Sequence, residues 1–239
     1  KLLVFDPDKD SVAHRVFKDI LEYLVPGDVL VLNTSKVIKA RIPVIVDGKD
    51  CEIFILKKID KCVYECMVKA GKKFKVGSFV SIADDFFAEV ISINEDGTRI
   101  IKFSNDDVEK YGQAPFPPYI DGSNSSLEDY QTVYANEKGS VASPTAGLHF
   151  TEDLLEKIKS KGVIVVNVIL HVGLGTFLPV KTDEIKDHQM HYEFFDISDE
   201  SCRILNSAKS EGRRIIAVGT TSVRVIESSF HDGRFVASS

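Results

Sequence analysis

The chain has 239 residues, of which 44% are hydrophobic and 28% charged, the mixture of a folded globular protein rather than of a disordered, collagen-like or coiled-coil one. At roughly 150 residues per domain, this length predicts one large domain or two smaller ones. Thirty Lys and Arg against thirty-six Asp and Glu give a net charge of −6, which argues against nucleic-acid binding through overall charge alone.

Three further features narrow the class of protein. The longest apolar runs fall far short of the roughly 18 to 20 residues that cross a bilayer. The four cysteines (Cys51, Cys62, Cys66 and Cys202) are too few for a disulfide scaffold and lack the C-x-x-C spacing of a zinc ribbon. The first residues, KLLVFD, contain neither Met nor a basic-then-apolar leader. We therefore expect no secretory signal and a reducing, cytoplasmic setting.

The first predicted unit is a helix followed by a buried strand. Apolar residues recur at helical spacing over residues 16–24. Pro26 and Gly27 then turn the chain, and the run VLVL at 29–32 is typical of a short buried strand.

Residues 40–104 have the pattern of β-strands throughout. Five or six short apolar runs are separated by turn residues such as Gly48, Gly77 and Gly97. Short strands with turn signals about every ten residues are typical of a small closed barrel or sandwich.

Helix and strand alternate again after the Pro-rich connector 114–119. Thr151 can cap a helix that stops at Gly162, and a strand is predicted over 163–171. The remaining elements are a helix at about 199–211, a strand at 213–218 and a further helix.

The order of these elements predicts the fold class. We expect an α/β core domain, formed by residues 1–39 and 105–239, with a small all-β barrel of residues 40–104 inserted into it.

Three predicted core strands end in loops rich in glycine and hydroxyl groups: NTSK at 33–36, HVGLGT at 171–176 and GTTS at 219–222. In open α/β sheets, ligands bind outside the carboxyl ends of the strands, so we expect these loops to line one pocket. The dinucleotide fingerprint and the phosphate-binding loop motif are both absent from the sequence. Backbone amides and hydroxyls in these loops suit ribose and purine edges.

Four of the six histidines lie in the second half of the chain: His149, His171, His188 and His191. Each can shuttle protons near neutral pH. His188 and His191, with Glu193 nearby, resemble a metal-binding set, but the H-E-x-x-H spacing is absent. Substrate contact is the favoured interpretation, and a metal site remains an alternative.

Basic side chains also have two interpretations. Seven lysines stand between residues 57 and 75 against Asp60 and Glu65 only. Such a face can hold a phosphate backbone, or it can protect an exposed strand edge. Arg224, one turn into the last predicted helix, can bind an anion or form an ordinary surface ion pair.

Seven motifs occur in the order of one known family. They are LNTSKVIKAR at 32–41, PPYI at 117–120, YQTVYA at 130–135, SVASPTAGLHFT at 140–151, LHVGLGTF at 170–177, HQMHYE at 188–193 and AVGTTSVR at 217–224. Together they resemble the S-adenosylmethionine:tRNA ribosyltransferase-isomerase family of queuosine biosynthesis. Thr34 and Lys36 depart from the Asp or Asn and the Arg that are usual in the first motif. That family usually continues past the position of Ser239, so we expect part of the core beyond it.

The resemblance implies a reaction. The ribosyl part of S-adenosylmethionine would be transferred and isomerised onto 7-aminomethyl-7-deazaguanine at the tRNA wobble position, giving epoxyqueuosine and releasing adenine and methionine. S-adenosylmethionine would be a consumed co-substrate, with no metal or other cofactor. The partners would be tRNA and S-adenosylmethionine, without a membrane, and the protein a cytoplasmic monomer.

The same resemblance suggests roles for individual residues. The reaction needs a base beside the sulfonium and an acid for adenine departure, and we assign catalysis to His149, His171 and Glu193. Substrate binding is assigned to Asn33, Lys36, Arg41, Tyr130, Gln131, Thr132, Pro144, Thr145, Gly147, Gly173, Gly175, Thr176, His188, His191, Thr220, Thr221, Ser222 and Arg224. Binding of tRNA is assigned to Lys57, Lys58, Lys69, Lys72, Lys73 and Lys75.

Two alternatives from other classes stay open at this point. One is an RNA-binding module that works through the lysine-rich barrel. The other is a metal-dependent hydrolase that uses His188, His191 and Glu193.

Overall fold

The computed structural model describes residues 1–117, 120, 125–173, 184, 186 and 192–238. Within these ranges, no helix combines the length and hydrophobicity that a membrane crossing requires. All four cysteines are free thiols.

The chain begins with a hairpin that the sequence pattern did not reveal. Strands β1 (Leu2–Asp6) and β2 (Ser11–Arg15) pair antiparallel. A 3₁₀ turn at Phe17–Asp19 and the short helix α1 (Ile20–Tyr23) follow. The helical segment therefore covers residues 17–23 of the predicted 16–24, and its first turn is 3₁₀. Val16 is extended and donates its N–H to the Asp19 carboxylate at 3.0 Å, a capping contact that sets the start of the helical segment at Phe17.

Strand β3 (Val29–Asn33) is buried along its whole length. A strand that is covered on both faces needs no polar alternation, which explains the continuous apolar run in the sequence. A single residue, Thr34, separates β3 from strand β4 (Ser35–Val37).

A six-stranded antiparallel sheet follows. Its strands are β5 (Arg41–Val46), β6 (Lys49–Asp60), β7 (Val63–Lys69), β8 (Phe79–Ala83), β9 (Phe86–Ile93) and β10 (Arg99–Phe103). They pair in the order β5-β6-β7-β10-β9-β8, and β5 contacts β8, so the sheet nearly closes into a barrel. Phe74, Phe86 and Phe103 fill its interior. The predicted strand-rich segment is confirmed.

Helix α2 (Val108–Tyr111) leads out of the barrel. Strand β11 (Glu137–Ser140) then pairs parallel with β4. The sequence predicted neither element. Strand β11 was missed because its sequence, EKGS, lacks any apolar alternation.

The second half alternates helix and strand as predicted. Its elements are α3 (Glu152–Ser160), β12 (Ile164–Leu170), β13 (Phe195–Asp196), α4 (Asp199–Ser210), β14 (Ile215–Ala217), α5 (Gly219–Ser228), β15 (Phe230–His231) and β16 (Arg234–Phe235). Thr151 caps α3 as expected, since its hydroxyl accepts the N–H of Leu154 at 3.2 Å.

The central sheet has the order β13-β12-β3-β14. Strands β12 and β14 both run parallel to β3, and β13 is antiparallel to β12. Helices α4 and α5 cover one face through Leu205 and Val225. Helix α3 covers the other through Ile158, which packs with Leu30 and Leu32. The carboxyl ends of the three parallel strands therefore meet at one edge.

The opposite edge of this sheet is held by a buried carboxylate. Asp28 is 2% exposed, and its two oxygens accept from Arg214 at 2.9 and 2.5 Å. The N–H of Val25 binds the same carboxylate at 2.7 Å. This cluster ties β3 to the start of β14.

Candidate active site

The three loops singled out in the sequence begin at the carboxyl-terminal edge of the parallel strands, and residues 174–176 of the second loop lie outside the described residues. Thr34 follows β3, His171 follows β12 and Gly219 opens α5 directly after β14. Gly219 is in contact with the 3₁₀ turn Thr145–His149, because a Cβ added at Gly219 would lie 3.2 Å from the Cβ of Ala146. The strand-end loop and the SVASPTAGLHFT motif therefore adjoin.

Unused hydrogen-bonding capacity collects around this edge. Across the described residues, six buried side-chain polar atoms lack a hydrogen-bond partner, and Ser238 Oγ is one of them. The other five belong to this edge and to the segments packed on it: Ser35 Oγ, Thr132 Oγ1, Ser143 Oγ, His171 Nδ1 and Thr221 Oγ1. Buried polar groups are nearly always paired in native proteins. Their clustering indicates a place where a polar ligand completes the bonds.

The turn Thr145–His149 is held by close packing at Gly147. A Cβ at this position would lie 2.0 Å from the hydroxyl oxygen of Tyr134 and 2.7 Å from Cγ2 of Thr132. Burial raises the pKa of Tyr134 well above its ordinary value, so its hydroxyl stays neutral. Only glycine lets the turn approach the 130–134 segment this closely.

His171 is fixed between two surfaces. Its ring stacks on Phe194 with centroids 5.5 Å apart. Its Nε2 would lie 2.7 Å from a Cβ at Gly139, so the absence of a side chain there makes room for the ring. Burial lowers the pKa of His171, although the charge of Glu137 partly opposes this. A neutral imidazole in a fixed orientation is suited to accept a proton.

His149 lies in different surroundings. It is exposed and stacks on Phe17 with centroids 5.0 Å apart. Together with Lys18, Asp19 and Thr151 it lines a cavity of about 440 Å³ beside the first turn of α3. The two predicted catalytic histidines, His149 and His171, therefore contact different residues.

Glu193 connects two of the predicted loops. One carboxylate oxygen accepts the N–H of Gly173 at 2.8 Å, and the other accepts from Arg224 on α5 at 2.5 Å. The Glu193 side chain is 7% exposed and that of Arg224 is 34% exposed. The surface pair considered for Arg224 is therefore a largely buried ion pair.

Two amides predicted to bind substrate are bonded to the backbone. The Asn33 side chain accepts the N–H of Leu170 and donates to its carbonyl, both at 3.0 Å. The Gln131 side chain makes the same double contact with Val37, at 3.0 and 2.8 Å. In this structure both side chains hold strand ends in place.

Other predicted binding residues are distributed over the same region. Tyr130 is buried and packs edge-on against Phe116, with centroids 5.5 Å apart. Ser222 donates its hydroxyl to the carbonyl of Val218 at 3.0 Å. Pro144 is buried, Lys36 is half-buried, and Thr145 and Thr220 are exposed.

Arg41 stands at the base of the barrel. Its guanidinium pairs with Glu52 at 2.8 Å and lies over the ring of Phe54. Its backbone exchanges hydrogen bonds of 2.7 and 3.3 Å with Gln113. These contacts join the two chain segments that enter and leave the barrel.

Four predicted substrate-binding residues lie outside the described residues: Gly175, Thr176, His188 and His191. Part of the PPYI motif lies there as well. Among the residues that are described, no three His, Cys, Asp or Glu side chains are grouped so as to hold a metal ion.

The predicted tRNA-binding lysines fall into two groups. Lys57 and Lys58 face Glu65 and Tyr64 near one end of β7. Lys69 lies at its other end, and Lys72, Lys73 and Lys75 follow it along the chain. The single basic stretch in the sequence is thus two separate basic groups on the barrel.

Two of these lysines are already paired. Lys58 contacts Asp106 at 3.0 Å, and Lys73 contacts Asp47 at 2.8 Å and the carbonyl of Val46 at 2.7 Å. Pairing reduces the charge that these two lysines offer to a phosphate.

Sequence reasoning missed four residues of this region. Ser143 and Tyr134 stand inside the quoted motifs, so the motifs themselves carried the signal. Gly139 and Phe194 orient His171 from segments distant in sequence, and a single sequence has no pattern that links them.

Comparison with known proteins identifies the family. Residues 1–238 match the family described as queuosine biosynthesis protein. A Thermotoga maritima protein named S-adenosylmethionine:tRNA ribosyltransferase-isomerase is 47% identical over 231 residues, which cover 95% of this chain and 69% of that protein. A protein of the same name from Finegoldia magna is 47% identical over 239 residues, covering 97% of this chain and 69% of the relative.

One solved structure is also similar. It is the crystal structure of S-adenosylmethionine tRNA ribosyltransferase from Thermotoga maritima, 34% identical, with a TM-score of 0.40, covering 95% of this chain and 64% of that one. The chain thus spans about two thirds of the length of the proteins that it matches. On the strength of the match over residues 1–238, the chain belongs to the queuosine biosynthesis protein family.

Proposed function

We propose that the protein transfers and isomerises the ribosyl part of S-adenosylmethionine onto 7-aminomethyl-7-deazaguanine at the wobble position of tRNA. Epoxyqueuosine is formed in the tRNA, and adenine and methionine are released. The observation that carries the proposal is the set of five buried polar atoms without a partner, at the carboxyl-terminal edge of the parallel strands and in the segments packed on it, in a chain from this family. The relatives' name supplies the reaction.

The polar atoms match the uncharged part of such a substrate. Thr132, Ser143 and Thr221 present hydroxyls that both donate and accept, which is what ribose hydroxyls and adenine edges require. We assign ribose and adenine binding to these groups, and charged ends to Arg224.

Proton transfer is assigned to His149 and His171. We assign the base to His171, because burial lowers its pKa and so keeps the ring unprotonated, and its Nδ1 has no partner among the described residues. It would take the proton next to the sulfonium. An acid would then protonate adenine as the bond to ribose breaks.

We also propose the domain division and the setting. Residues 1–39 and 105–239 would form the α/β core, with 40–104 as the inserted barrel, and Lys57, Lys69, Lys72 and Lys75 would hold tRNA. The reaction consumes S-adenosylmethionine and needs no further cofactor. The protein would act in the cytoplasm as a monomer.

The two alternatives are not favoured. The family name describes an enzyme acting on tRNA rather than a binding module. The hydrolase interpretation needs Glu193 as a metal ligand, yet both oxygens of Glu193 are bonded to protein groups.

The test is to incubate the protein with S-adenosylmethionine and tRNA carrying the aminomethyl-deazaguanine base. Release of adenine and methionine in step with modification of the tRNA is expected. Adenine release without any change in the tRNA would overturn the proposal, as would no release at all.

A further inference from the structure

We infer that Glu193 is a positioning residue for the proposed transfer, which joins Gly173, just after β12, to the first turns of α5 without moving a proton itself. The inference rests on the proposed function and refines the role of one residue within it.

The contacts of Glu193 carry this inference. Its two oxygens are each used once, by the N–H of Gly173 at 2.8 Å and by the guanidinium of Arg224 at 2.5 Å. The side chain is 7% exposed, so little water competes for these bonds. Charge-assisted hydrogen bonds of this kind are stronger than neutral ones.

The two tied segments both carry predicted substrate contacts. Gly173 opens the glycine loop after β12, and Arg224 lies on the same helix as Thr220 and Thr221. These segments are far apart in sequence, and a single carboxylate joins them. A shift of either segment would misplace groups that must meet one substrate.

A proton-transfer role fits these contacts poorly. A carboxylate that acts as acid or base must bring an oxygen within hydrogen-bond reach of the substrate. Glu193 would have to give up either Gly173 or Arg224 to do so. Giving up Arg224 would leave a largely buried ion pair broken, which is costly.

The test compares three variants in the full chain. Glu193→Gln keeps an oxygen that can accept from Gly173 but removes the charge that faces Arg224. Glu193→Ala removes both contacts, and Arg224→Lys keeps the charge but loses the planar geometry of the guanidinium. The measurements are kcat, KM for S-adenosylmethionine, the pH–rate profile, calorimetric binding of S-adenosylmethionine and the unfolding temperature.

We expect a change in binding with the chemistry retained. Glu193→Gln should raise KM and the calorimetric Kd about tenfold, with kcat reduced less than about tenfold and the pH–rate profile unchanged. Glu193→Ala should weaken binding further, by about 100-fold. The double variant Glu193→Gln/Arg224→Lys should have a KM and a Kd close to those of either single variant, because both substitutions break the same contact.

A matched control is present at the opposite edge of the sheet. Glu211 and Arg213 form an ion pair of 2.8 Å with the same chemistry, and Glu211 is 54% exposed. Glu211→Gln should leave kcat and KM within about twofold of the original protein.

Two results would overturn the inference. One is a kcat lowered by about 100-fold or more in Glu193→Gln with KM unchanged, the loss typical of a missing acid or base. The other is the disappearance of one limb of the pH–rate profile in that variant. Failure of the unaltered protein to release adenine would instead overturn the proposed function, and the two failures are thereby distinguished.

Discussion

Replacing Ser143 by alanine should weaken substrate binding without lowering the stability of the fold. Ser143 is 6% exposed and its hydroxyl has no partner among the described residues. A buried hydroxyl without a partner costs about 1–3 kcal/mol. Its removal should therefore leave the free energy of unfolding unchanged or raise it by about 1 kcal/mol.

Ser140 is the matched control, three residues earlier and 0% exposed. Its hydroxyl donates to the carbonyl of Ala142 at 2.6 Å and accepts the N–H of Val172 at 3.0 Å. Ser140→Ala would leave both backbone groups buried without a partner, at a cost of about 2–4 kcal/mol. For a chain of this size, that loss lowers the unfolding temperature by about 5–15 °C.

Two assays separate the two serines. Urea unfolding gives the free energy of unfolding of each variant, and adenine release gives KM for S-adenosylmethionine. Ser143→Ala should raise KM about 2- to 10-fold, the worth of one hydrogen bond to the ligand. If Ser143→Ala instead destabilised the fold as much as Ser140→Ala and left KM unchanged, the reasoning from unpartnered atoms would be refuted.

Three further substitutions test packing and charge. Gly147→Ala places a methyl group 2.0 Å from the Tyr134 hydroxyl oxygen. In urea titrations, the free energy of unfolding should therefore fall by about 1–3 kcal/mol. Adding Tyr134→Phe should restore part of that loss, because it removes the hydroxyl oxygen. For Asp28, burial alone would raise its pKa, but hydrogen bonds from Arg214 and Val25 and the charge of Arg214 lower it overall. Its carboxylate therefore stabilises the fold above the unfolded pKa of about 3.9, and that contribution is lost as pH falls through the lower folded value. Asp28→Asn should lower the free energy of unfolding by about 2–4 kcal/mol at pH 7. When the free energy of unfolding is measured against pH, its decrease on the acid side should be less steep in the variant. An equally steep decrease in the variant would contradict the assignment. Asp106→Asn removes the charged acceptor shared by Lys58 Nζ, the Cys62 N–H and the Tyr64 hydroxyl, so the unfolding temperature should fall. An unchanged unfolding temperature would show that these contacts carry no net stability.

Local patterns determined much of the fold. The continuous apolar run of β3, the short barrel strands separated by turn residues and the Thr151 cap each depend on neighbouring residues, and the structure confirms all three. The helix expected over 16–24 is one residue shorter at each end, and its first turn is 3₁₀. Strand β11 was missed because its pairing with β4 is the only reason that EKGS is extended.

The site depended on tertiary structure to a greater degree. Motifs located the loops and the residues His171, Glu193 and Arg224, because those residue types stand at recognisable spacings. Their relations come from folding: Gly139 and Phe194 enclose His171, and Glu193 spans from Gly173 to Arg224. The sequence by itself determined which residues form the strands, the caps and the family motifs. Only the tertiary structure decided which polar atoms are bonded within the protein and which are left for a ligand, since that depends on contacts between segments far apart in the chain.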